Sequence, residues 1–149
     1  MFRALKIAPL LPLVPVLVAC TILTATPQPT PDVTAATIRR LFDAINTKNG
    51  DAALSFLADD PEIYQRDAYK KGHEKAIVWL REEIDGYRDH FEIIEIKTDG
   101  ARATGLVRVT STGSVSYFKA SEYLFTFQAL VQTGKIECLN IGQPVPGLC

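Results

Sequence analysis

The sequence predicts an α+β fold, with N-terminal helices packed against an antiparallel β-sheet. Three observations predict it. Apolar residues recur at helical spacing as far as about Ile84. From about Phe91 the period falls to two. Asp99-Gly100 and Thr133-Gly134 then sit where tight hairpin turns are needed. Helices first and a meander after place the helices on one face of the sheet.

The elements follow in order. Asp32 or Thr34 suits the cap of a first helix, in which Ile38, Leu41, Phe42 and Ile45 form one apolar stripe. Asn49-Gly50 supplies its stop, since glycine tolerates the left-handed C-terminal position. Ala52, Ala53, Leu54, Phe56 and Leu57 suit a short second helix closed by the turn Asp59-Asp60-Pro61. Glu62 to Arg66 reads as a short strand. Gly72 precedes a third helix with Ala76, Ile77, Leu80 and Ile84 on its inner side, and Gly86 stops it. Glu82, Glu83, Asp85 and Asp89 read as a solvated helix end. Phe91 to Gly142 then holds up to four long strands. In one, Ala101, Ala103, Gly105, Val107 and Val109 alternate with a mostly polar set. In another, Tyr123, Phe125, Phe127, Ala129 and Val131 alternate with Glu122, Leu124, Thr126, Gln128 and Leu130.

The N-terminus carries a different message. Arg3 and Lys6 precede an apolar run that ends in Leu17-Val18-Ala19-Cys20. A basic start, an apolar core and small residues before a cut make a secretory signal. The segment resembles the signal peptide and lipobox of a bacterial lipoprotein. That resemblance implies cleavage before Cys20 and acylation of its sulfur and amine. Residues 1–19 are then the signal peptide, 20–33 the lipidated cysteine with a Thr/Pro-rich tether, and 34–149 the folded domain. Several acyl chains, each buried methylene contributing about 0.8 kcal/mol, hold such a protein firmly to a membrane. The expected place is the bacterial cell envelope, on the extracytoplasmic side. A permanent spanning helix fits poorly, because Pro9, Pro12 and Pro15 interrupt the run and polar Thr21 follows it.

Loss of residues 1–19 removes Arg3 and Lys6, leaving 14 basic against 17 acidic side chains, a net charge of −3. That balance offers no footprint for nucleic acid and no polybasic membrane patch. The remaining segment of roughly 110 residues makes one domain with its own core. Of the three cysteines, Cys138 and Cys149 remain once Cys20 is acylated. In an exported compartment they read as a disulfide or, alternatively, as two separate thiols. His73 and His90 lack metal-type spacing to them, so no metal and no cofactor is implied.

The stretch from Ile38 to Asp60, with Asn49-Gly50-Asp51 and Leu57-Ala58-Asp59-Asp60, resembles the nuclear-transport-factor-2-like superfamily, also called SnoaL-like or cystatin-like. Gly72-His73-Glu74-Lys75-Ala76-Ile77 resembles the opening of that family's third helix. The resemblance covers nearly all of Thr34 to Gly142. It implies a cone-shaped half-barrel, a curved sheet wrapped around helices with a cavity inside. Its members include isomerases, polyketide cyclases, dehydratases and non-catalytic binding or dimerising modules. The family's acid/base residues do not map one by one onto this chain.

Tyr64, Arg66 and Tyr69 flank the region that borders such a cavity, where a phenol donates hydrogen bonds and a guanidinium holds an anion; ordinary packing is the competing reading. His73 is a candidate base or a solvated first-turn residue. Trp79 lines a pocket or completes the core. Glu122 suits proton transfer only if its face of the strand is the inner one. The expected function is a membrane-tethered ligand- or protein-binding domain without catalysis. Its expected partners are the membrane through the lipid anchor, a small apolar ligand or a second copy in a homodimer. The alternative is an isomerase-, cyclase- or dehydratase-type enzyme acting on a small apolar substrate. A purely structural envelope protein is a third reading.

Overall fold

The computed structural model describes residues 30–65, 67–113, 122–143 and 147–149. The signal segment 1–19, Cys20, the tether as far as residue 29 and Arg66 lie outside the described residues.

Helix α1 spans Pro31–Asn46, with Thr30 at the N-cap. Proline suits the first helical position, where its ring presets φ and the missing N–H has no partner to lose. The cap therefore precedes both Asp32 and Thr34. Asp32 lies in the first turn, where a carboxylate meets the positive end of the helix dipole. Thr34 is buried, and its hydroxyl donates to the Gly100 carbonyl at 2.8 Å. Ile38, Leu41, Phe42 and Ile45 are all buried, as their spacing predicts. The stop falls on Lys48, at φ 58°, and not on Gly50. Asn49 instead caps α2, Gly50–Ser55, its Oδ1 accepting from the Ala52 N–H at 3.0 Å.

Strand β1 spans Leu57–Gln65 and absorbs Asp59-Asp60-Pro61, the expected turn. These residues occupy a register shift between Leu57 and Glu62, an irregularity in which proline's missing N–H is tolerated. Strand β2, Ala68–Lys71, forms a hairpin with β1. Gly72, at φ 90°, opens α3, His73–Arg81. The helix does not stop at Gly86. It widens into a π-helical segment, Glu82–Tyr87, and ends where Arg88 turns left-handed at φ 53°. Then come β3 (Asp89–Asp99), β4 (Arg102–Ser111), β5 (Glu122–Gln132) and β6 (Lys135–Ile141).

The six strands form one sheet in the order β2-β1-β6-β5-β4-β3. All neighbours are antiparallel except β1 and β6, which run parallel, so the sheet is mixed and not purely antiparallel. The reason is directional: the successive reversals after β3 bring β6 alongside β1 in the same sense.

The helices cover one face. Phe42 of α1 stacks on Phe91 of β3 at 4.9 Å and meets Phe127 of β5 edge-on at 6.1 Å. Gly105 of β4 lies under Phe127; a Cβ there would strike that ring and the Glu95 carbonyl, beside the register shift between Ile93 and Glu95. β3 is an edge strand, and α1 supplies a partner for it. The Asn46 side chain accepts from the Phe91 N–H and donates to the Phe91 carbonyl, both at 2.8 Å. Among the described residues no helix is long and apolar enough to cross a membrane.

Candidate functional site

One end of the sheet gathers the C-terminal ends of β1, β4 and β6 with the N-terminal ends of β3 and β5. The opposite end holds the β3–β4 and β5–β6 turns and the first turn of α1, tied to Gly100. Two cavities lie at the first end and share Gln65 and Ala68. The larger, about 420 Å³, has Tyr64, Tyr69, Phe125, Asn140, Ile141 and Gln143 in its walls. The smaller, about 140 Å³, is bounded by Lys70, Trp79, Glu82, Glu83 and Tyr87 as well as Gln65.

A buried hydrogen-bonded chain runs beside the smaller cavity. The Trp79 Nε1–H donates to Gln65 Oε1 at 2.7 Å, and Gln65 Nε2 donates to Glu83 Oε2 at 3.2 Å. Indole is a donor only, so it fixes which end of the Gln65 amide faces it. The amide's NH₂ must then face Glu83, which makes Glu83 Oε2 an acceptor. Trp79 and Glu83 are each 1% exposed and Gln65 is 7% exposed. Nearer the surface Lys70 Nζ pairs with Glu82 Oε2 at 2.5 Å. On the strand ends next door, the Ser111 hydroxyl donates to the buried Asp89 carboxylate.

The larger cavity wraps the rim of the sheet. Tyr64 pairs in register with Asn140 and Tyr69, and the Tyr64 and Tyr69 rings lie 4.5 Å apart. Partial burial pushes the Tyr69 phenol above its ordinary pKa, with the Glu62 carboxylate adding to the shift. Glu62 itself is held below the usual carboxylate range, first by a hydrogen bond from Lys71 at 2.7 Å. Among the described residues no group of three or more His, Cys, Asp or Glu is placed to hold a metal ion.

The sequence-stated candidates fall in different places. Tyr64 lines the larger cavity and Trp79 the smaller. His73 is exposed at the start of α3. Glu122 lies on the sheet face away from the helices, since its neighbours Tyr123 and Phe125 pair with the buried Val109 and Val107. There it makes an ion pair with Arg108 Nε at 3.0 Å. Cys138 and Cys149 are joined, with an S–S distance of 2.05 Å. One correction concerns the expected solvated helix end: Glu83 and Asp89 are buried. Glu83 stands four residues after Trp79, so it continues the inner stripe of α3. That spacing was the available signal, and the run of acids around it concealed it. Gln65, Phe125 and Asn140 carried no comparable mark, because only strand register brings them together.

No protein-family model and no curated protein matches the sequence. Solved structures do match, among them NTF2-like and cystatin-fold proteins. A candidate polyketide cyclase from Sinorhizobium meliloti is 22% identical, with a TM-score of 0.64 over 71% of this chain and 93% of that one. An epoxide hydrolase from Mycobacterium tuberculosis is 15% identical, with a TM-score of 0.66 over 79% and 87%. A second M. tuberculosis protein, RV0760c, solved in complex with estradiol-17beta-hemisuccinate, is 14% identical, with a TM-score of 0.65 over 76% and 95%. At such identities the likeness speaks for architecture alone. This chain has the NTF2-like, SnoaL-like fold, its helices seated in a curved six-stranded sheet.

Proposed function

We propose that this chain is a lipid-anchored, extracytoplasmic domain that binds a small, largely apolar ligand at the rim of its sheet without transforming it. The observation that carries the binding reading is the pair of adjoining cavities, one walled by Tyr64, Tyr69 and Phe125, the other ending in the Trp79–Gln65–Glu83 chain. Apolar walls with a few fixed polar groups are the usual make-up of a small-molecule site. A protein of the same fold, RV0760c, was solved in complex with estradiol-17beta-hemisuccinate. Support for anchoring comes from Leu17-Val18-Ala19-Cys20 and the Thr/Pro-rich segment after it. The Cys138–Cys149 disulfide suits an oxidising, exported compartment.

Titration with anilinonaphthalene sulfonate tests the binding. Saturable fluorescence enhancement that falls sharply in Phe125→Ala supports it; no enhancement, or none lost in the variant, sinks it. A globomycin-type block of lipoprotein processing tests the anchor. A heavier precursor should accumulate, and unchanged mobility rejects acylation. Pairing of outer sheet faces in a homodimer belongs to the same proposal, with Leu124 at 59% exposure as its centre; light scattering that gives a monomer mass removes it.

A second reading, an isomerase-, cyclase- or dehydratase-type enzyme, is favoured by one observation. Glu83 is a buried carboxylate beside a cavity, the setting in which a proton-transfer group is tuned. Wild-type protein that catalyses deuterium exchange next to the carbonyl of a cyclic ketone, and loses it in Glu83→Gln, would establish that reading over simple binding.

A further inference from the structure

We infer that Gln65 is a specificity-determining residue: at the smaller cavity its amide reads a hydroxyl carried on a six-membered ring of the ligand. The inference rests on the binding reading above and names the ligand's polar group. Near the end of β1, Ile63 and Gln65 are buried, while Glu62 and Tyr64 are half-buried. Period two thus turns Gln65 to the same side as Ile63, the side of the helices and of Trp79. An amide buried there costs free energy unless it is paired. A leucine would fill the place without that cost, so packing alone does not account for a glutamine.

The pairing uses half of what the amide offers. Trp79 Nε1–H occupies one lone pair of Oε1, and Glu83 Oε2 accepts one N–H of Nε2. Among the described residues these are the amide's two partners. A primary amide has two N–H donors and two lone pairs, so one of each remains. The same two bonds hold the group against a flip, which gives the remaining donor and acceptor fixed directions. Gln65 shares the walls of the smaller cavity with Trp79, Glu83 and Tyr87. The volume there is about 140 Å³. An apolar cavity of roughly 150 Å³ admits benzene, so the space suits one ring. A hydroxyl both donates and accepts through one atom and therefore meets either remaining group of the amide, whereas a methyl meets neither. Another wall is the π-helical segment Glu82–Tyr87, a geometry that recurs at functional sites. The larger cavity, which also has Gln65 and Ala68 in its walls, leaves room for the rest of an apolar molecule.

The test measures the Kd of 2-naphthol and of 2-methylnaphthalene, in which a methyl of similar size replaces the hydroxyl. Both are titrated into the full oxidised chain, as wild type and as Gln65→Met, a side chain of similar length without the amide. The ratio of the two affinities should move on the order of tenfold toward 2-methylnaphthalene in the variant, the worth of one hydrogen bond. Lower stability weakens both compounds together, so it leaves that ratio where it was. An unchanged ratio, at a temperature where the far-UV spectra coincide, overturns the inference. If Gln65→Met fails to fold, isotope-labelled wild type decides. Saturation with 2-naphthol should shift the Gln65 side-chain amide resonances well beyond the shift that 2-methylnaphthalene causes, and equal shifts overturn the inference. Wild type that binds anilinonaphthalene sulfonate but neither naphthalene overturns this inference alone. Wild type that binds none of the three overturns the binding reading with it.

Discussion

At Trp79 a side chain that can only donate meets Gln65, which does both, and the direction of the whole buried chain follows. Replacement by phenylalanine keeps a ring but leaves Gln65 Oε1 without its donor. An unsatisfied buried acceptor costs about 1–3 kcal/mol, so Trp79→Phe should lower the urea midpoint by a corresponding amount; an unmoved midpoint contradicts the arrangement. Glu62 and Lys71 make a second residue-scale prediction. The Glu62 carboxyl is lowered, chiefly by the hydrogen bond from Lys71. A lowered folded value means stability present above the unfolded pKa and lost as pH falls through the folded one. In Lys71→Met the Glu62 titration, followed by NMR, should move up toward the ordinary carboxylate value. An unchanged titration would show that the contact does not persist in solution.

Among the elements, the helix pair α3 and Glu82–Tyr87 separates what was legible from what was not. Of the expected inner stripe Ala76, Leu80 and Ile84 are buried and Ile77 is half-buried, so the sequence pattern suffices to find that stripe. The continuation past Gly86 was hidden, because a π-helical turn shifts the face that each residue presents and the acids there resemble a surface end. The actual stop is Arg88, left-handed at φ 53°, a conformation that costs a side chain and not a glycine. Arg88→Gly is therefore expected to raise stability by up to about 1 kcal/mol, read as a higher thermal midpoint. A lower midpoint would mean that the arginine side chain contributes more than its backbone costs. β4 and β5 were legible because alternation survives along them, whereas in β6 the residues from Cys138 to Ile141 are all buried. β2, four residues with no buried position, left no pattern to read.

Across the whole molecule, the start of α1 and the rim cavities lie at opposite ends of the sheet. If Cys20 carries the anchor, the attachment point precedes α1 and is separate in sequence from every residue that lines the cavities. Cys20→Ala should then shift the protein from the membrane fraction to the soluble one while probe affinity stays as in wild type. Loss of affinity on release would tie the cavity to the lipid surface instead. The sequence by itself determined the α+β class, the helix-then-meander order and the two-residue alternation along β4 and β5, because those rest on local periodicity and turn chemistry. It also determined that Glu122 lies opposite the aromatic residues of its strand, without saying which side was inside. Only the tertiary structure decided that, and with it the burial of Glu83, the parallel pairing of β1 with β6 and the meeting of Gln65, Phe125 and Asn140 at one rim. The physical reason is common to all four: each depends on register and packing between segments distant in the chain, and period within a segment carries no record of its neighbour.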